Sequence, residues 1–301
     1  MVSRPLIALL LVSCVVLTVA SAASGQSPPT EGKKLHVLVV NGQDQYHHPD
    51  ELTPVMKQVL EDSGRFTVDA IDAITPDQVR AFHPRFADYD VVLSAYISTD
   101  WPEETKREFA QFVRDGGGFV CVHAGNNAFP NWPEYNRMTG LGGWGDRNEK
   151  DGPYVYYNDQ GKLVRDTSPG GAGHHGPQHE FQIRIRDAEH PITRGLPPLW
   201  LHTQDELYDS LRGPAEEMDV LATAWSDPQY QGTGRNEPML MAIRYGKGRV
   251  FHTAMGHAAY SMRDVGFIAT LQRGTEWAAT GEVTIPVPDD FPTADKTSSR
   301  D

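Results

Sequence analysis

Gly116-Gly117-Gly118-Phe119-Val120-Cys121-Val122-His123-Ala124-Gly125 runs from three glycines through a short apolar stretch to a histidine followed by two small residues. Such a stretch between glycines reads as a buried strand, and Ala124-Gly125 permits a tight turn directly after it. In open α/β sheets ligands bind at the carboxyl ends of the strands. His123 is therefore the first residue expected to carry chemistry. Cys121, inside the apolar run, is expected to pack as a small buried hydrophobe, because nothing beside it in sequence would stabilise a thiolate.

Working outward, the first half alternates strand and helix signals. Leu35 to Val40 is a buried-strand run ended by Asn41-Gly42, and a helix is expected from about Pro54 to Glu61 with Thr53 as its N-cap. Strands follow at Phe66 to Ile71 and Tyr89 to Ser94, with a short helix opened by Thr75-Pro76 between them. Pro102 to Arg114 is an amphipathic helix with Phe109, Phe112 and Val113 on one face and Gly116 beyond its end. Repeated β-α units of this length predict a mostly parallel sheet with helices on both faces.

The second half is less regular. Asn131 to Thr139 reads as a short helix, and Leu141 to Gly176 is a long excursion containing a hairpin from Tyr154 to Val164. Excursions of that length in compact domains are usually functional or covering. Strands are expected at Glu180 to Ile185, around Glu206 to Tyr208 and at Val220 to Ala224. Met239 to Tyr245 and Arg249 to Ala254 form a hairpin through Gly246-Lys247-Gly248, and Val265 to Ala279 is the last helix. No internal repeat is visible.

The ends set the compartment. Arg4, an apolar run from Leu6 to Val19 and Ala20-Ser21-Ala22 predict a signal peptide over residues 1–22, cleaved after Ala22. The run falls short of the ~20 residues of a spanning helix. An exported, periplasmic or secreted protein is expected, the rival being a lipoprotein anchored through Cys14. Residues 23–33 read as a flexible linker, 34–281 as one domain and 282–301 as a polar C-terminal tail. Once residues 1–22 are removed, Cys121 is the remaining cysteine and no internal disulfide can form. A net charge of -13 argues against nucleic acid or anionic membrane as partner, since both demand a basic footprint. It suits a small neutral substrate.

Groups able to do chemistry gather where strands end: His47-His48 after the first, His123 after the fourth, Gly256-His257 after the last, and Asp205-Glu206 with Tyr208 between them. In a doubly wound sheet these ends share one edge, so the groups are expected to converge. His174 and His175, among glycines, read as solvated loop; His179 reads as a structural histidine and His190 as a turn residue.

The order and spacing of Tyr46-His47-His48, Val122-His123-Ala124-Gly125, His190-Pro191-Ile192, Asp205-Glu206-Leu207-Tyr208, Gly246-Lys247-Gly248-Arg249-Val250, Gly256-His257 and Trp277-Ala278 resemble the ThuA-like, or trehalose utilisation, family. The resemblance runs from about Lys34 to Gly281. It implies a flavodoxin-like three-layer α/β sandwich of the class I glutamine amidotransferase type, and a link to catabolism of sugars, including oxidised 3-keto disaccharides. Those amidotransferases place a nucleophilic cysteine at the strand-to-helix elbow. Here His123 stands at that place, so glutaminase chemistry is not expected.

Three functions follow from this pattern. In the first, His123 and His257 exchange protons on a carbohydrate with Glu206 as partner or second base. Alternate strand residues point to opposite faces, so of Asp205 and Glu206 only one is expected to face the site, Glu206 with Tyr208. His48, Asn126, Trp132, Trp144, Asp205 and Tyr208 form the expected substrate-binding set, with Asn127 beside it. In the second, His48, His123, His257 and a carboxylate hold zinc or another divalent metal; no close-spaced histidine pair marks such a site, so no metal ligand is assigned from sequence. In the third, the tryptophans and asparagines make a non-catalytic sugar-binding module.

Overall fold

The computed structural model describes Met1 and residues 33–300; the expected signal peptide, Cys14 and nearly all of the linker lie outside the described residues. In chain order the elements are β1 (Leu35–Asn41), α1 (Pro49–Asp62), β2 (Phe66–Asp72), α2 (Pro76–Arg80), β3 (Val91–Ser94), α3 (Glu103–Asp115), β4 (Gly118–Val122) and α4 (Pro133–Thr139). There follow β5 (Tyr154–Tyr157), β6 (Leu163–Asp166), β7 (His179–Ile185), β8 (Leu199–Asp205), β9 (Met218–Ser226), β10 (Arg235–Tyr245), β11 (Gly248–Thr253), α5 (Ala259–Met262) and α6 (Val265–Thr280). Lys34–Asp301 forms one compact unit.

The sheet has two halves. β2, β1, β3, β4 and β11 lie side by side in that order and are parallel. Beyond β11 the order continues β10, β9, β7, β8, and every pairing there is antiparallel, as are those of the β5–β6 hairpin, which joins β10 through Asn236 and Tyr157. The expectation of a mostly parallel sheet is thus corrected: the sheet is mixed α/β and mostly antiparallel by pairing. Parallel neighbours need a crossover of a dozen or more residues, and the chain supplies such crossovers up to β4. After β9 it turns back through short loops, as at Gly246-Lys247. Pro238 within β10 has no N–H for the ladder, and the register shifts between Pro238 and Leu240.

The parallel half is covered on both faces. Successive residues of β4 point opposite ways: a Cβ on Gly118 would lie 2.8 Å from the backbone of Ala278 in α6, whereas Phe119 packs on Phe109 of α3 and Tyr135 of α4. All five residues of β4 are buried, as the apolar run predicts.

Boundaries next to the strand ends move. α1 begins at Pro49, one turn before the expected start, with His48 rather than Thr53 at its N-cap; Thr53 instead accepts from Asn41 and donates to Asp72, tying α1 to β1 and β2. The strand expected around Glu206 to Tyr208 is β8, which ends at Asp205, so Glu206 to Tyr208 lie in the loop beyond it.

The C-terminal segment is a strap. The backbone of Leu201 donates to Thr293, that of Val265 to Ser298, and that of Arg300 to Arg263, while Phe291 packs on Trp200. The excursion from Leu141 to Gly176 is fastened as well. Gly142 pairs with Arg212 and His174 with Asp209, and the buried Arg147 guanidinium donates to the carbonyls of Asn127, Ala128 and Gly143. The excursion is thereby laid over the carboxyl ends of the parallel strands.

Candidate functional site

β4 delivers His123 directly into a 3-10 turn over His123–Asn127. His123 itself takes a left-handed φ of +43°, a conformation costly for a non-glycine residue and concentrated at functional sites. Gly125 makes the turn possible, since a Cβ there would stand 2.6 Å from the Ser94 carbonyl oxygen. The imidazole is buried, with Nδ1 2.8 Å from the Ala254 carbonyl oxygen. A carbonyl only accepts, so Nδ1 donates and Nε2 is the atom turned towards the site.

Three further groups meet His123. His47, in the loop after β1, is buried, and its Nδ1 lies 3.0 Å from Asp44 Oδ1, which also accepts the backbone N–H of Tyr46 and of His47. Burial raises the Asp44 carboxyl, but those N–H groups and His47 together hold it below the usual carboxylate range. Burial, reinforced by the charge of His123, pushes the His47 imidazole down to about 4 against the pull of Asp44. His47 is therefore neutral, with its lone pair on Nε2. Glu206, half-buried, stands with Oε2 3.5 Å from His123 Nε2 and 3.1 Å from His257 Nδ1. Burial opposes its ionisation, but these two histidines outweigh burial and depress its pKa; His257 is raised in return, Glu206 overcoming desolvation. The three rings lie with centroids 5.1 to 5.5 Å apart.

One ligand atom from each of His47, His123, Glu206 and His257 falls within 4.8 Å of the others. His47 Nε2, His123 Nε2 and His257 Nδ1 have no hydrogen-bond partner among the described residues; the last two are within ion-pair reach of Glu206 but not aligned for a hydrogen bond. Nε2 of His47, Nε2 of His123 and Nδ1 of His257 thus converge on one carboxylate with no aligned hydrogen bond among them. A divalent cation resolves that arrangement, and nitrogen with carboxylate oxygen is a donor set that suits zinc and its neighbours. Asp44 and the Ala254 carbonyl hold the far nitrogens of two rings, as outer partners of metal-bound histidines do.

A cleft of about 580 Å³ opens over this group, with Asp44, His47 and Glu206 in its lining. Trp144, Tyr208, His175 and Asn127 form its walls. The Tyr208 ring lies 3.9 Å from that of His123 and 4.7 Å from that of Trp144, and Asn127 reaches its hydroxyl at 3.5 Å. Burial and the Glu206 charge keep that phenol protonated. Trp144 has a φ of +56°, so the excursion presents this ring in a strained conformation.

Of the expected residues, His123, Glu206 and His257 come together, and Trp144 and Tyr208 line the cleft. Four others do not. His48 is exposed at the N-cap of α1 in extended backbone, while His47 before it is buried. Asn126 is fully buried with its amide on His252, pointing into the core while Asn127 faces the cleft. Trp132 packs among Trp101, Phe129 and Tyr135, an apolar cluster at the head of α4. Asp205 is fully buried, its carboxylate taken by protein donors. His175 is not a solvated loop residue: its Nε2 stands 3.7 Å from Glu206 Oε2. The parity of the His47-His48 and Asn126-Asn127 pairs is set by loop conformation, which carries no periodic signal. Cys121 is fully buried, and burial pushes its thiol far up.

A family model described as trehalose utilisation matches residues 36–278. A ThuA-like protein from Parabacteroides merdae is similar in structure with a TM-score of 0.85 at 46% identity, covering 89% of this chain and 98% of its own. A ThuA-like protein from Bacteroides uniformis shares the fold with a TM-score of 0.56 at 17% identity, covering 86% of this chain and 97% of its own. No curated protein matches the chain.

Proposed function

The chain belongs to the ThuA, trehalose utilisation, family, and from that premise we propose that it is a carbohydrate-active enzyme with a divalent metal centre held by His47, His123, His257 and Glu206. One observation carries the reading: three unpartnered imidazole nitrogens, two of them oriented by Asp44 and the Ala254 carbonyl, converge on a carboxylate within 4.8 Å. These four residues would hold a divalent ion, which would supply Lewis acidity to polarise a sugar carbonyl or hydroxyl and ease loss of a neighbouring proton. The chain's own residues do the rest. Trp144 and Tyr208 offer aromatic faces to a sugar ring, while Asn127 and the Tyr208 hydroxyl offer hydrogen bonds to its hydroxyl groups. His175, its ring stacked 5.9 Å from that of Tyr208, adds Nε2 beside Glu206. A 3-keto sugar suits this cleft, because its carbonyl acidifies adjacent C–H bonds and opens isomerisation, elimination or hydrolysis through enolisation.

Direct acid–base catalysis without metal is the second reading, favoured by the 3.1 Å approach of His257 Nδ1 to Glu206. Elemental analysis of protein prepared without chelating resins separates the two, followed by chelation and assay on sugars and 3-keto sugars. About one divalent ion per chain is expected, with turnover lost on chelation and restored by metal. Full turnover by metal-free protein would establish the second reading; bound sugar with no product would mark a binding module.

The parallel half supports the finer fold assignment. Counting parallel strands only, β2-β1-β3-β4-β11 has the order 2-1-3-4-5, which is that of flavodoxin-like folds. Burial of Cys121 and His123 at the elbow favour a role other than glutaminase. The leader-like sequence of residues 1–22 supports export, with the enzyme working in the periplasm or outside the cell.

A further inference from the structure

Beneath the cleft lies a second polar group that the proposed chemistry does not use. Asp264, His202 and Asp205 are each fully buried. His202 Nε2 is 2.9 Å from Asp205 Oδ2, and its Nδ1 is 3.1 Å from Asp264 Oδ1 in a bent ion-pair contact. Asp264 caps α6 by accepting the N–H of Phe267 and also accepts that of Thr203 in β8. Asp205 accepts four donors: His202, and the backbone N–H groups of Glu206, Gly256 and His257.

One atom matters most. Asp205 Oδ1 accepts the N–H of Glu206 at 2.9 Å and that of His257 at 3.1 Å. A single oxygen therefore fixes the two backbones whose side chains meet at 3.1 Å in the cleft. Gly256, at a φ of +104° with Phe267 against its Cα, lets the second backbone reach that oxygen. Buried ionic triads are poor sources of stability compared with well-packed apolar residues, so stability alone is a weak account of this one.

We propose that the Asp264–His202–Asp205 relay is a set of positioning residues that fixes the Glu206–His257 half of the metal centre, by anchoring both backbones to the N-terminus of α6. This rests on the metal reading above. The test uses the full chain carrying His202→Phe or Asp264→Asn, with Leu60→Ala, a core residue of α1, as a control that lowers stability at a distance. Zinc affinity is measured by competition with a chromophoric chelator and ligand geometry by the visible spectrum of bound cobalt(II). Both relay variants should bind zinc about 10- to 100-fold more weakly with an altered cobalt spectrum, and the control should bind as wild type. Wild-type affinity and spectrum in the relay variants would overturn the proposal. Should His202→Phe fail to fold, Asp264→Asn decides alone. If wild type itself binds neither ion, the metal reading fails separately; the relay is then judged by the imidazole nitrogen shifts of His257, altered in Asp264→Asn if it positions that ring and unaltered if it does not.

Discussion

At His47 and His48 one step along the chain separates a ring in the site from a ring in water. The two are indistinguishable as residue types, and their separation depends on Asp44, whose carboxylate gathers three N–H groups and turns the loop. His47→Ala should weaken zinc binding at least tenfold, about 1.4 kcal/mol, whereas His48→Ala should leave it unchanged; isothermal titration of both variants checks this, and equal losses would refute the assignment. Two histidines outside the ligand set contribute opposite pH dependences to stability. Burial holds His252 down at about 4, against the ordinary 6.5. The unfolded chain takes up that proton first, so stability is lost as pH falls from 6.5 towards 4. His202 is raised to about 9, desolvation being outweighed by Asp205 and Asp264, so its contribution is full below 6.5 and lost as pH rises towards 9. In urea midpoints the His252 part should therefore fall away below about pH 6.5 and the His202 part above it, with His202→Phe flattening the alkaline side; an unchanged alkaline side in that variant would contradict the His202 assignment.

At the scale of elements, legibility follows periodicity. β4, α3, α6 and the β10–β11 hairpin were readable because apolar runs, helical spacing and glycine stops are local signals. β8 was displaced, because Leu199–Asp205 alternates less clearly than the residues after it and its end is set by Asp205 turning inward. The terminal strap reads as a tail for a related reason: its composition is polar, but its backbone serves as partner for buried groups. Thr284 and Ile285 donate three hydrogen bonds to the buried Glu276 carboxylate, and the Ile285 carbonyl accepts from Arg273. Deleting residues 282–301 should strip those bonds from a buried charge and cost at least ~3 kcal/mol. Denaturant titration of the truncated chain measures the loss; a shift below 1 kcal/mol, roughly a single ordinary hydrogen bond, would make the strap incidental.

For the whole molecule, the proposed metal centre joins the loops after β1, β4, β8 and β11, so an ion held there would bind the folded state far better than the unfolded one. Zinc at about 100 times its dissociation constant should add about 2.7 kcal/mol of stability and raise Tm by about 5 to 10 °C. A scan with and without zinc tests this, and an unchanged Tm would contradict a preformed centre. The sequence by itself determined the α/β class, the parallel half, the buried cysteine and the strand-tip histidine, since each rests on residue type and spacing within one segment. Only the tertiary structure decided the antiparallel half, the choice of His47 over His48, the entry of His175 and the inward turn of Asp205. The physical reason is range: the orientation of His123 Nε2 is set by a carbonyl 131 residues away in sequence, and no local pattern encodes such a partner.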